Sequence, residues 1–203
     1  MTALQTYEKL FCGTLIIASV TLSIILLVET CTPQMKTFSY IGEQNRALFF
    51  IWGISTGAAT FFNLKLLAKR LQFKNRTFDW ILGFGCSTAL VMVTVTGFEP
   101  LNYAVHMASA KIFGIIGGVC LLILMLIRWR GRPPVPTTTM ARTDVRASRK
   151  NKIISMLYII VMIATFVVLV VATARAGHYT APSQLLLTNV FLVVMFCSNF
   201  LEK

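Results

Sequence analysis

The chain has 203 residues, 56% of them hydrophobic and 13% charged, and a mean hydropathy of +0.74. That balance excludes an ordinary soluble domain, and the length suits one domain or at most two. The formal net charge is +12, but the basic residues fall between apolar blocks, a distribution that argues for a membrane and against nucleic acid as a partner.

The apolar residues come in blocks of about twenty, the length at which a helix crosses a bilayer core. The first, residues 10-28, is uncharged. It lacks a clear small-residue cleavage site and follows Glu8 and Lys9, so it reads as a retained helix and not a signal peptide. An outer connection, residues 29-46, carries Glu29, Lys36, Glu43 and Arg46 and is near neutral; it reads equally as a cover over the bundle and as a plain connector. The second block, 47-67, holds Asn63 and Lys65 near one end, where a lysine can snorkel to the interface. Its Gly53 and Gly57 stand four apart, a spacing that lets helix backbones approach closely in lipid. Lys65, Lys69, Arg70, Lys74 and Arg76 then face only Asp79. The sequon Asn75-Arg76-Thr77 falls in this basic connection and is expected to stay bare in the cytosol.

The third block, 80-98, opens with Gly83 and Gly85, which loosen its start. The fourth, 103-127, follows after Pro100 and Asn102, which break the helical pattern and predict a tight outer hairpin. Its Gly114 and Gly118 repeat the four-residue spacing, with Ala110 one turn earlier. These glycines predict a compact bundle with the second, third and fourth helices at its centre. Residues 128-152 hold Pro133, Pro134, Pro136 and the run Thr137 to Thr139. They have little to bury and predict a flexible connection. Arg128, Arg130, Arg132, Arg146, Arg149, Lys150 and Lys152 make this connection both a topology anchor and a patch for anionic lipid of the cytosolic leaflet. The fifth and sixth blocks are 153-174 and 185-201. Alternate connections are basic, so the expected architecture is a single-domain, all-α, polytopic six-transmembrane-helix bundle with both termini cytosolic.

Chemistry concentrates at the outer hairpin. Glu99, His106 and Lys111 lie on or just inside the membrane, where ionisable groups are costly and therefore functional candidates. His106 shares a helix face with Ser109 and Ala110, while Lys111 points elsewhere. The residues fit either a hydrogen-bonded brace or a contact for a lipid headgroup or partner. No cofactor is expected: His106 and His178 are the only histidines, and no spaced set of His, Cys or carboxylate suits zinc. The five cysteines form no CxxC pair or disulfide framework. Ser109 lies one turn from His106, a poor placement for an attacking pair, so the chain reads as non-enzymatic. Two alternatives stay open. A small transporter or channel would have to use Ser55, Thr56, Ser87, Thr88 and Thr165 at mid-depth. An accessory subunit of a larger membrane complex would turn its glycine faces to other membrane proteins.

Two segments resemble a known family. FSYIGEQNRALFFIWGISTGAATFF, residues 38-62, is similar to the outer loop and second helix of the damage-regulated autophagy modulators (DRAM) and their FRAG and SFK relatives. GFEPLNYAVHMASAKIFGIIGGVCLLIL, residues 97-124, resembles their outer hairpin, with Gly97, Phe98, Glu99, Val105, His106 and Ala110 at the family's positions. Glu99 stands where the family usually has glutamine, and Lys111 where it has an apolar or small residue. The resemblance implies six spans, cytosolic termini and a non-enzymatic protein of lysosomal, endosomal or plasma membranes. It also implies roles of the kind linked to those relatives: autophagy, phosphoinositide-kinase recruitment, membrane-lipid organisation and GPI-anchor handling.

Overall fold

The computed structural model describes residues 3-29, 44-95, 100-130, 142-176 and 181-200. Helices account for nearly all of them: α1 (Ala3–Glu29), α2 (Arg46–Arg70), α3 (Arg76–Thr94), α4 (Pro100–Arg130), α5 (Arg142–Ala176) and α6 (Ala181–Phe200). Five are long and apolar enough to cross a membrane; the apolar part of α6, Leu185–Phe200, is shorter. Such helices indicate an integral membrane protein, since a helix satisfies its backbone polar groups within itself.

The helices begin and end where local chemistry dictates. Asn45 caps α2 by accepting from the Leu48 N–H at 3.3 Å, and Asn75 caps α3 by accepting from the Phe78 N–H at 3.0 Å. Between them, Gln72 takes a left-handed φ of 53°. The Phe73 N–H reaches the Ala68 carbonyl at 2.8 Å and the Gln72 N–H reaches Lys69 at 3.0 Å. This pair of bonds closes the last turn of α2 in a Schellman arrangement.

Hydropathy misplaces the ends of the basic connection. Residues 128 to 130 continue α4 and residues 142 to 152 open α5, so the segment expected to be flexible over 128-152 is helical at both ends. Arginine, lysine and alanine are good helix formers whether or not they are apolar, and a membrane-length scan does not see them. Residues 131-141 lie outside the described residues.

The bundle's centre is built around α2. α2, which the glycine pattern placed at the centre with the third and fourth helices, is the most enclosed helix and packs against α1 and α6 as well as α3. The larger core joins Leu64 and Leu67 of α2, Leu82 of α3, Leu121 and Leu124 of α4, and Leu192 and Met195 of α6. A second core, at the other end, gathers Leu26, Phe49, Trp52, Met92, Val93 and Leu185. α5 is peripheral, with Ile160, Ile163, Phe166, Val167 and Val170 exposed along it. Such a surface is stable only against lipid or another apolar partner.

Glycines set the closest approaches. A Cβ placed on Gly53 would overlap Val93 of α3, and one on Gly57 would lie 3.1 Å from the Ala89 Cβ. Gly85, read from the sequence as a loosening residue, instead receives the Ile116 side chain of α4. On α4 the packed glycine is Gly117, whose added Cβ would lie 3.5 Å from the Phe191 ring and 3.6 Å from the Thr60 methyl group. Among the described residues nothing lies within 4 Å of a Cβ added at Gly114 or Gly118, so the described helices do not close on them. The helix turns their side toward the outside while Gly117 points inward.

Candidate functional site

His106 lies in the second turn of α4 and is 5% exposed. Its Nδ1 is 2.6 Å from the Met92 carbonyl oxygen in the last turn of α3. A carbonyl can only accept, so Nδ1 carries the proton and donates. The last four carbonyls of a helix have no partner within it; His106 supplies one for Met92 and joins the two arms of the hairpin. The ring also lies 6.2 Å from that of Phe49, which stacks at 5.5 Å on Trp52. The imidazole is thus enclosed by α2, α3 and α4. Ser109 is buried beside it on the same helix, Ala110 packs against the second core, and Lys111 is exposed on another side. Glu99 lies outside the described residues. This geometry makes His106 a brace of the hairpin, built from an imidazole N–H and a helix-end carbonyl.

Next to this brace runs a polar chain that sequence reading missed. The Trp52 indole donates to Ser23 Oγ at 2.7 Å, Ser23 Oγ donates to the Ser19 carbonyl at 2.9 Å, and the Ser19 and Thr56 hydroxyls lie 2.5 Å apart. Nearer the other end, Asn63 Nδ2 donates to the carbonyls of Cys12 and Ala59 at 3.0 and 2.9 Å. Asn199 Nδ2 donates in turn to the Asn63 carbonyl and to Asn63 Oδ1, both at 3.1 Å. Asn63 and Asn199 are fully buried. A buried amide in an apolar bundle is costly without partners, and these two hold α1, α2 and α6 together. The signal was present in the sequence as Ser19, Ser23 and Asn199 inside apolar blocks, but hydropathy cannot say which polar residues meet.

Of the mid-depth hydroxyls weighed for a transport path, Ser87, Thr88 and Thr165 are engaged within their own helices and Thr56 across to α1. Thr88 donates to the Gly85 carbonyl at 2.6 Å, Ser87 to Phe84 at 2.7 Å and Thr165 to Val161 at 2.8 Å, while Thr56 meets Ser19. Such back-bonding satisfies a hydroxyl within its own helix.

The end opposite the hairpin is basic. Lys69 Nζ lies 2.7 Å from both carboxylate oxygens of Glu8, and Lys65 Nζ lies 2.7 Å from Asp79. Arg70 Nη1 donates to the Ser198 and Asn199 carbonyls at 2.9 and 2.6 Å, which neutralises the negative end of α6. Arg128 is half-buried, and Arg130 and Lys152 are exposed. Arg146, Arg149 and Lys150 stand in the first turns of α5, and Arg132 lies outside the described residues. Of the expected lipid patch, Arg128 and Arg130 thus belong to α4, and Arg146, Arg149, Lys150 and Lys152 to α5. Among the described residues, no three of His, Cys, Asp or Glu gather as a metal-ligand set. No protein-family model, curated protein or solved structure matches this chain.

Proposed function

We propose that this chain is a non-enzymatic integral membrane protein that binds or organises membrane lipid, or a membrane partner. The proposed arrangement is six spans with both termini cytosolic. The observation that carries the reading is the apolar outer face of α5, continued by Ile115, Val119 and Leu126 of α4. Inside the bundle, hydrogen-bonded polar groups brace one helix against another. The basic end is assigned to the cytosolic leaflet by the charge of its connections. The resemblance to the DRAM, FRAG and SFK proteins supports the autophagy-lysosome or plasma-membrane lipid-organising type.

Native mass spectrometry of gently purified protein tests the reading. A defined lipid at fixed stoichiometry, reduced in His106→Ala while the fold persists, supports a lipid contact at the hairpin. A chain that retains no lipid under any mild condition refutes lipid handling. An accessory subunit is the second reading, favoured by the open side of α4 at Gly114 and Gly118, a small-residue surface of the kind helices use to associate in lipid. Native-gel size in mild detergent separates it from a free monomer. A small transporter or channel is disfavoured by the back-bonded hydroxyls, and flux in proteoliposomes would reverse that judgement.

A further inference from the structure

Between its ends α4 carries a single lysine, Lys111, well inside the span Leu101–Arg130. Its depth follows from the packing of α3 on α4. His106 is level with Met92 through their hydrogen bond, and Ile116 is level with Gly85. Lys111 lies midway, about 8 Å further along the helix than His106. Its side chain is exposed and, among the described residues, forms no ion pair. An ammonium that faces hydrocarbon is costly, and such groups ordinarily pair. None of the Asp and Glu residues falls inside an apolar block, so this chain offers no carboxylate at that depth. The side of α4 around Lys111 is also small. Ala104 and Ala108 precede it and Gly118 follows it on one face, with Gly114 beside it. Both alanines are exposed, and no described residue lies within 4 Å of a Cβ added at either glycine. Small residues gain little from lipid chains but let a second helix come close. The exposed face of α5, by contrast, is built of isoleucine, valine and phenylalanine.

We infer that this side of α4 docks one transmembrane helix of a different membrane protein, and that this helix carries an Asp or Glu at the depth of Lys111. The inference rests on the accessory-subunit reading above and adds the chemistry of the partner. A second copy of the chain does not fit. A two-fold contact sets each residue against its own counterpart. A crossing at Gly114 and Gly118 would therefore bring two lysines within a turn of it, in a medium of low dielectric. Neither copy has a carboxylate there to separate them. A carboxylate on a foreign helix satisfies the ammonium with a charge-assisted hydrogen bond. The glycines beside Lys111 let the two backbones approach within reach of that bond. The competing arrangement is a lysine that runs its stem along α4 and leaves its charge at the headgroups.

The test places the full-length protein in phosphatidylcholine vesicles with synthetic transmembrane helices of about 20 leucines and alanines. Each helix carries one Glu, at its end or about 8 Å inside it, or Gln at the same position. Energy transfer between labelled protein and labelled helix reads binding. The helix with the inner Glu should bind about tenfold more tightly than its Gln twin, the scale of a polar contact between membrane helices. Lys111→Leu should remove that preference without loss of thermal stability. Lys111→Glu should transfer the preference to a helix with lysine at the inner position. Gly118→Leu raises a side chain where a Cβ meets no described residue, and it should block the helix with the inner Glu. Equal binding of the Glu and Gln helices overturns the inference, as does a preference that persists in Lys111→Leu. A preference only for Glu at the helix end also overturns it, because the lysine then holds its charge at the headgroups. Native-gel size of the protein gently extracted from its own membranes separates the inference from the reading beneath it. A larger assembly that survives Lys111→Leu keeps the accessory subunit without the charge pair, and a monomer throughout refutes both.

Discussion

Substituting Gly53 by alanine tests the packing logic of the bundle at its tightest point. A Cβ at this position would overlap Val93 Cγ1 and lie 3.0 Å from Val93 Cβ and 3.1 Å from Cγ2. Carbon atoms pack best at roughly 3.5–4.0 Å, so all three side-chain carbons of the valine are too close. A χ1 rotation that turns the Cβ hydrogen toward Gly53 removes the methyl overlap but leaves Val93 Cβ itself at 3.0 Å. Relief requires α2 and α3 to part at a site where Trp52 and Met92 are also buried. Overpacking of this kind costs about 1–3 kcal/mol, and the absence of a side-chain escape puts Gly53→Ala toward the upper end. Thermal unfolding in detergent, followed by fluorescence-detected size exclusion, should show a clear loss of stability. Val93→Ala should destabilise moderately by itself and should restore most of the loss when combined with Gly53→Ala. A Gly53→Ala protein as stable as the parent would refute the reasoning, and so would a double variant whose losses simply add.

Gly114→Ala is the matched control: an added Cβ meets nothing within 4 Å, and alanine gains about 1 kcal/mol of helix propensity over glycine, so the melting midpoint should hold or rise. If Gly114→Ala instead breaks a larger assembly on native gels, the open side of α4 is an interface. Asn63→Ala removes the side-chain donor that ties the Cys12 and Ala59 carbonyls together and leaves the Asn199 amide without its side-chain acceptor; the cost should be about 1–3 kcal/mol, measured by the same unfolding assay. Ser19→Ala removes one interhelical bond and should cost about 0.6 kcal/mol, the usual size for such bonds in membrane proteins. Lys69→Ala breaks an ion pair whose side chains are 60% and 36% exposed, and should change stability by less than about 0.5 kcal/mol.

Some of this architecture was legible in the sequence because it follows from local composition. Twenty apolar residues in a row have few alternatives to a membrane helix. The hairpin between α3 and α4 was signalled by Pro100, and the candidacy of His106 by the cost of placing an imidazole among apolar residues. Its partner was not legible. The hydrogen bond that the structure places is to a backbone carbonyl, a group every residue carries and no sequence pattern marks, while Glu99 lies outside the described residues.

The glycines show most directly where local information ends. Gly53 and Gly57 have the same spacing as Gly114 and Gly118, yet the first pair lies against α3 and the second faces open space. Spacing fixes which residues share a side of a helix, and so it was readable from the chain alone. Which side turns inward depends on how α4 rotates against α3 and α6, and that rotation is settled by the packing of Ile116 into Gly85 and of Phe191 beside Gly117. Pairings across more than a hundred residues, such as Arg70 with Ser198 and Asn63 with Asn199, belong to the same class. The sequence determined that these polar groups would need partners at membrane depth; only the tertiary structure decided which partners were near enough to bond.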